Sequence, residues 1–182
     1  MISGPRNGLA TLSDVWFGYC WRTSSTIKNN VKQIAKIISG GQTGADRAAL
    51  DWALSHKFPR GGWCPKGRKA EDGPIPESYP LRESTSASYL QRTELNVRDS
   101  DGTVLFSLSP TLTGGSRKTV EFAKKHQKPW LHIHAGQRGC DDRLRSFVAE
   151  NAIAILNVAG PRGSKEPDIG KFVIQTLEGA FK

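Results

Sequence analysis

The sequence predicts a three-layer α/β fold, with a mainly parallel sheet wound between helices on both faces. Two observations predict it. Short apolar runs of strand length alternate with segments of helical periodicity along the chain. Several of those runs end in glycine-rich turns that open directly into a helix. Together they describe a doubly wound, Rossmann-like arrangement, in which ligands bind beyond the carboxyl ends of the strands.

The elements follow in order. Ile34 to Ile38 is an apolar run ending in glycines and reads as a buried strand. Asp46 to His56 carries Ala49, Leu50, Ala53 and Leu54 at helical spacing. Phe58 to Glu83 is rich in Gly, Pro and charge and reads as loop, with a short strand at Gly62-Trp63. Ser88 to Arg98 reads as a helix, and Asp99 to Gly102 as a turn rather than a calcium loop. Thr103 to Leu108 is a strand, and a helix runs from about Ser116 to Gln127. Pro129 introduces the strand Trp130 to Ile133, and Asp141 or Asp142 caps the next helix. Ile153 to Val158 is the last strand. The final helix sets Ile169, Phe172, Val173, Thr176, Leu177 and Ala180 on one face.

Residues 1–32 do not share this pattern. They hold the aromatic cluster Trp16, Phe17, Tyr19 and Trp21 without clear periodicity, and read as an extension preceding a domain over 33–182. With 182 residues, 37% hydrophobic and 24% charged, the chain is of a size and composition to bury a core. No apolar run reaches the roughly 18 residues needed to span a bilayer. Cys20, Cys64 and Cys140 are odd in number and far apart, which fits a reducing, cytoplasmic setting better than a disulfide framework. The net charge of +9 suits an anionic ligand. The basic residues are scattered, so a small anion is favoured over nucleic acid as partner, and no membrane partner is expected.

The strongest local signal is the turn Ser39, Gly40, Gly41, Gln42, Thr43, Gly44. Glycines between a strand and a helix permit close backbone approach, and the first helical N–H groups can hold a phosphate. No Gly-Lys-Ser/Thr follows, so the turn is not a Walker loop. Ser39 stands where a dinucleotide fingerprint has its first glycine, and no acid follows the next strand, so NAD is not expected. Gly114, Gly115 and Ser116 offer a second anion cradle on the same rim, and Arg162 a fork for an oxyanion. Lys66 and Arg68, in a loop with Glu71 and Asp72, could fold over the ligand. Cys64 reads as a packed thiol. His132 and His134 have two-point metal spacing, but no third ligand accompanies them, so no metal site is assigned.

The ordered segments ISGGQTGADRAALD, GGWCPKGRKAEDGPI, YLQRTELNVRDSDGT, GGSRKTVEFA and LNVAGPR resemble the family named putative molybdenum carrier, over about Gln33 to Lys182. The resemblance implies binding of molybdenum cofactor, a phosphorylated pterin carrying an oxo-metal centre, in a homo-oligomer such as a dimer or tetramer. The family is related to the lysine-decarboxylase-like phosphoribohydrolases, which implies nucleotide binding as an alternative. Those enzymes carry PGGxGTxxE. Here Gly114, Gly115 and Glu121 match, whereas the proline, third glycine and threonine do not. Glu121 is thus the candidate catalytic residue should the chain cleave N-glycosidic bonds. A carrier for an anionic cofactor remains the leading expectation, ahead of the hydrolase and of a nucleic-acid-binding module.

Overall fold

In the computed structural model, the residues described are Met1 and 34–182; the expected N-terminal extension otherwise lies outside them. Five parallel strands form the central sheet: β1 (Lys36–Ile38), β2 (Arg60–Gly61), β7 (Gly102–Ser107), β8 (Trp130–His134) and β9 (Ile155–Ala159). Their spatial order is β2-β1-β9-β7-β8. The last strand therefore lies in the middle, with Ile37 opposite Leu156 on one side and Val104 opposite Val158 on the other. Renumbered from β9, the sheet runs 3-2-1-4-5, the strand order of dinucleotide-binding folds. The domain has that order with its chain opened at a different point.

The helices are α1 (Ala45–Ser55), α2 (Tyr89–Arg98), α3 (Gly114–Lys125), α4 (Cys140–Glu150) and α5 (Ile169–Phe181). One layer holds α1, α5 and α4 packed side by side, and the other pairs α2 with α3. The first layer carries the main core. Ala49, Trp52, Phe106, Leu144, Leu156, Ile169, Val173 and Leu177 are all buried in one cluster. Phe172 meets Phe106 edge-on at 5.8 Å. The second layer is built differently. The buried positions of α2 are Asn96 and Val97, and those of α3 are Ser116, Thr119 and Ala123. Small and polar side chains cannot fill the space between helix and sheet as leucines would, so a crevice remains on that side.

The segment between β2 and α2 is a strap rather than plain loop. It contains β3 (Trp63–Cys64) paired with β6 (Arg82–Glu83), and β4 (Lys69–Ala70) paired with β5 (Gly73–Pro74). The expected sheet strand at Gly62-Trp63 is therefore displaced: the strand in the main sheet is Arg60–Gly61, and Trp63 belongs to a separate pair. Under the strap, Leu50, Cys64, Ala70, Ile75, Tyr79 and Leu81 form a second small core.

Two helix starts also differ from expectation. Helix α3 begins at Gly114 rather than Ser116, because Thr113 is extended and Gly114 turns into the helix at φ 52°. Helix α4 is capped by Gly139 in the left-handed region, and Asp141 and Asp142 sit in its first turn, where carboxylates favour the helix dipole. Asp101 is a turn residue, as expected. Its carboxylate accepts the N–H groups of Ala154 and Ile155 at 3.0 and 2.7 Å and so anchors the start of β9.

Candidate functional site

Neighbouring strands β9 and β7 send their following helices, α5 and α3, to opposite layers. A crevice must open where that happens. It does so as a cavity of about 440 Å³ above the carboxyl ends of β1, β9 and β7. Its walls come from the β1–α1 turn, the first two turns of α2, the β7–α3 loop and the β9–α5 loop.

One end of the cavity is cationic. Thr113 provides no side-chain cap to α3, and Gly115 and Ser116 in its first turn line the wall. Arg162 and Lys165 come from the β9–α5 loop. The Lys165 ammonium lies so near the start of α3 that a Cβ placed on Gly114 would be 3.6 Å from it. An ammonium beside the positive end of a helix is a repulsive pairing, which a bound anion relieves. Glu166 also lines the cavity, and its carboxylate accepts the Leu108 N–H at 2.5 Å.

The other end holds a charge-balanced pair. Asp46, in the first turn of α1, is 3% exposed. Its carboxylate accepts from Arg92 Nη1 at 2.8 Å. Burial pushes the Asp46 pKa up, and the attraction and hydrogen bond of Arg92 oppose this. The Arg92 Nε is buried without a hydrogen-bond partner. Tyr89 and Thr93 line the same end, and Asn157, 2% exposed, lines the cavity from β9 while donating to Thr103 Oγ1 at 3.1 Å.

Of the residues singled out from sequence, the cavity brings together Gly40, Gln42, Gly115, Ser116 and Arg162. The rest of the first glycine turn is spent on the protein's own packing. Ser39 is buried and donates to Val158 O at 2.6 Å. Gly40 is not at positive φ; its missing side chain leaves room for the Arg92 guanidinium, which a Cβ would overlap. Gly41, at φ 74°, backs onto Leu81 and Ile75 of the strap. Gly44, at φ 81°, lets the turn press on the β9–α5 loop, where a Cβ would lie 2.5 Å from Pro161 O and 2.6 Å from Gly163 N. Gln42 Oε1 accepts the N–H groups of Thr43 and Glu71, both at 3.0 Å.

The strap reaches the rim through its acids rather than its bases. Glu71 accepts hydrogen bonds from Thr43 Oγ1 and from Ser164 N and Oγ, and lies 3.6 Å from Arg162. Partial burial acts to raise the Glu71 pKa, but those hydrogen bonds and the Arg162 charge outweigh it and leave the pKa lowered. Arg47 donates to Asp72 at 2.5 Å and holds its carboxyl below the usual range. Arg68 is buried and knits the strap internally through the carbonyls of Ile75, Pro76, Tyr79 and Leu81. Lys66 is exposed on the 3₁₀ turn. Neither lines the cavity.

Glu121 is also elsewhere. It pairs with Lys118 at 2.6 Å on the outer side of α3, where its side chain is 47% exposed, and it does not line the cavity. Cys64 is fully buried in the small core, and that burial raises its pKa. His132 Nε2 lies 2.7 Å from Ser107 Oγ, and burial, with His134 beside it, pushes its pKa down, which favours the neutral ring. Among the described residues no group of three or more His, Cys, Asp or Glu is placed to hold a metal ion. No helix among them is long and apolar enough to cross a membrane.

Asp46, Tyr89, Arg92 and Thr93 do not follow from the glycine motifs. A signal for the α2 contribution exists nonetheless. Tyr89, Arg92, Thr93 and Asn96 recur at i, i+3, i+4 and i+7, which is a polar stripe on one helical face. All four line the cavity.

Comparison with known proteins agrees with the topology. A solved structure named "Putative molybdenum carrier protein", from Syntrophus aciditrophicus SB, is 48% identical. The match covers 82% of this chain and 96% of that one, with a TM-score of 0.79. No curated protein matches the chain. The model of the circularly permutated YpsA SLOG family matches residues 37–181. A central final strand fits a permuted family, and the chain belongs to the circularly permutated YpsA SLOG family.

Proposed function

We propose that this chain is a carrier for molybdenum cofactor and holds the cofactor's phosphate at the cationic end of the cavity. The observation that carries the reading is the α3 N-terminus with Lys165 beside it, in a cavity at the strand-order reversal whose lining also includes Arg162. Phosphate suits that wall. Backbone N–H groups, the helix dipole and two cationic side chains all favour a compact anion, and Arg162 can bind two of its oxygens at once. A volume of about 440 Å³ accommodates a small phosphorylated heterocycle. The name of the 48% identical neighbour supports molybdenum as part of the cargo. The metal would travel within the cofactor, and the chain's own residues would bind the organic part.

Purified full-length protein provides the test. Molybdenum and pterin are quantified in the untreated sample and again after loading with cofactor. The reading predicts a stoichiometry near one per chain, with the Arg162→Ala variant retaining markedly less. Protein that retains neither, before or after loading, would overturn it.

A further inference from the structure

The cavity's second end calls for its own ligand chemistry. An oxyanion there would lie against the Asp46 carboxylate, whose charge balances that of Arg92. An apolar group would cover both charged groups and supply neither with a hydrogen bond. Arg92 already has a buried Nε with no partner, and a single Nη1 bond to Asp46. What satisfies an acceptor beside a donor is an edge carrying a donor beside an acceptor. Tyr89 adds an aromatic side chain at the same end, suited to a flat ring.

We infer that the Asp46–Arg92 pair reads the edge of a planar heterocycle in which a ring N–H stands beside a C=O. Asp46 accepts the ring N–H together with an adjacent amino group, and Arg92 donates to the carbonyl. Pterins and guanine share this 2-amino-oxo edge. The inference deepens the carrier reading and rests on it: it sets the phosphate at the start of α3 and the ring at Asp46 and Arg92. Gly40 belongs to this device, since a side chain there would occupy the place of the Arg92 guanidinium.

The experiment is calorimetric titration of the full-length wild-type protein with four probes: guanosine, inosine and xanthosine monophosphates, and ribose 5-phosphate. The guanine nucleotide is expected to bind tightest. The inosine nucleotide lacks the amino donor, and the xanthosine nucleotide sets an oxygen in its place. Each should be weaker by about tenfold to a hundredfold, the usual worth of a paired polar contact. The Asp46→Asn variant, whose amide can donate, should prefer the xanthosine nucleotide over the guanosine one. Equal affinity for all four wild-type titrations overturns the heterocycle reading and leaves the phosphate site standing. Failure of all four to bind, ribose 5-phosphate included, removes the phosphate site and this inference with it. The wild-type series needs no variant, so it decides even if Asp46→Asn does not fold.

Discussion

At the scale of single residues, the chemistry of the site turns on which side chain each glycine makes room for. Gly40 serves Arg92, and Gly44 serves the β9–α5 loop. Gly40→Ala keeps a φ that alanine tolerates, but its Cβ would overlap the Arg92 guanidinium and lie 2.8 Å from Asp46 Oδ2, so some loss of stability should accompany it. It should displace the Arg92 guanidinium from Asp46 and weaken guanosine monophosphate binding by about tenfold, the worth of a charged hydrogen bond. Titration and a thermal melt of the same sample separate the two effects. Glu121→Ala should change neither binding nor stability appreciably, since Glu121 is a solvent-facing partner of Lys118. A binding loss above threefold would contradict that placement. Gly115, Ser116 and Arg162 were legible from sequence because strand-to-helix loops must lie at the carboxyl edge. Asp46 and Arg92 were not. Their meeting joins residues 46 positions apart across two elements, and no local pattern records it.

At the scale of elements, hydrophobic spacing identified α1, α4 and α5 and most of the sheet strands, because each buries one face or both, whereas α2 and α3 bury small and polar side chains. Their ends moved where backbone geometry, not hydrophobicity, decides, as at Gly114 and Gly139. The strap resisted reading because its strands are two residues long and its order comes from polar ties. Those ties titrate. Glu71 and Asp72 have lowered pKa values, so the stability they add is present at neutral pH. It is lost as the pH falls below the ordinary carboxylate value of 4.5 for Glu71 and 3.8 for Asp72. Hydrogen exchange should therefore show the Ser164 amide, bonded to Glu71 at 3.1 Å, losing protection only as the pH falls below 4.5. The amide of Leu105 in the sheet should keep its protection. Simultaneous loss at both positions would show that the strap does not detach separately.

At the scale of the whole molecule, the α/β class follows from the alternation of elements, whereas the strand order does not. Nothing local in Ile153 to Val158 says that it enters between β1 and β7. That placement brings the β9–α5 loop beside the β7–α3 loop and so makes the cavity. A permuted chain running 152–182 and then 1–151, with residues 1–33 as the connection, restores the strand order 3-2-1-4-5 in sequence. It should fold with the same far-ultraviolet dichroism and a single cooperative melt. A chain that fails to fold would mean that the natural connection between α4 and β9 is required for the sheet to assemble.

The most direct measurement of the central claim is the electron density of ligand in crystals of protein purified without added cofactor or nucleotide. A phosphate-bearing molecule is expected in the cavity between β9 and β7. Its phosphate should contact Gly115, Ser116 and Arg162, and its ring should lie against Asp46 and Arg92. A ligand whose phosphate instead occupies the Ser39–Gly44 turn, or one bound outside this cavity, would contradict it.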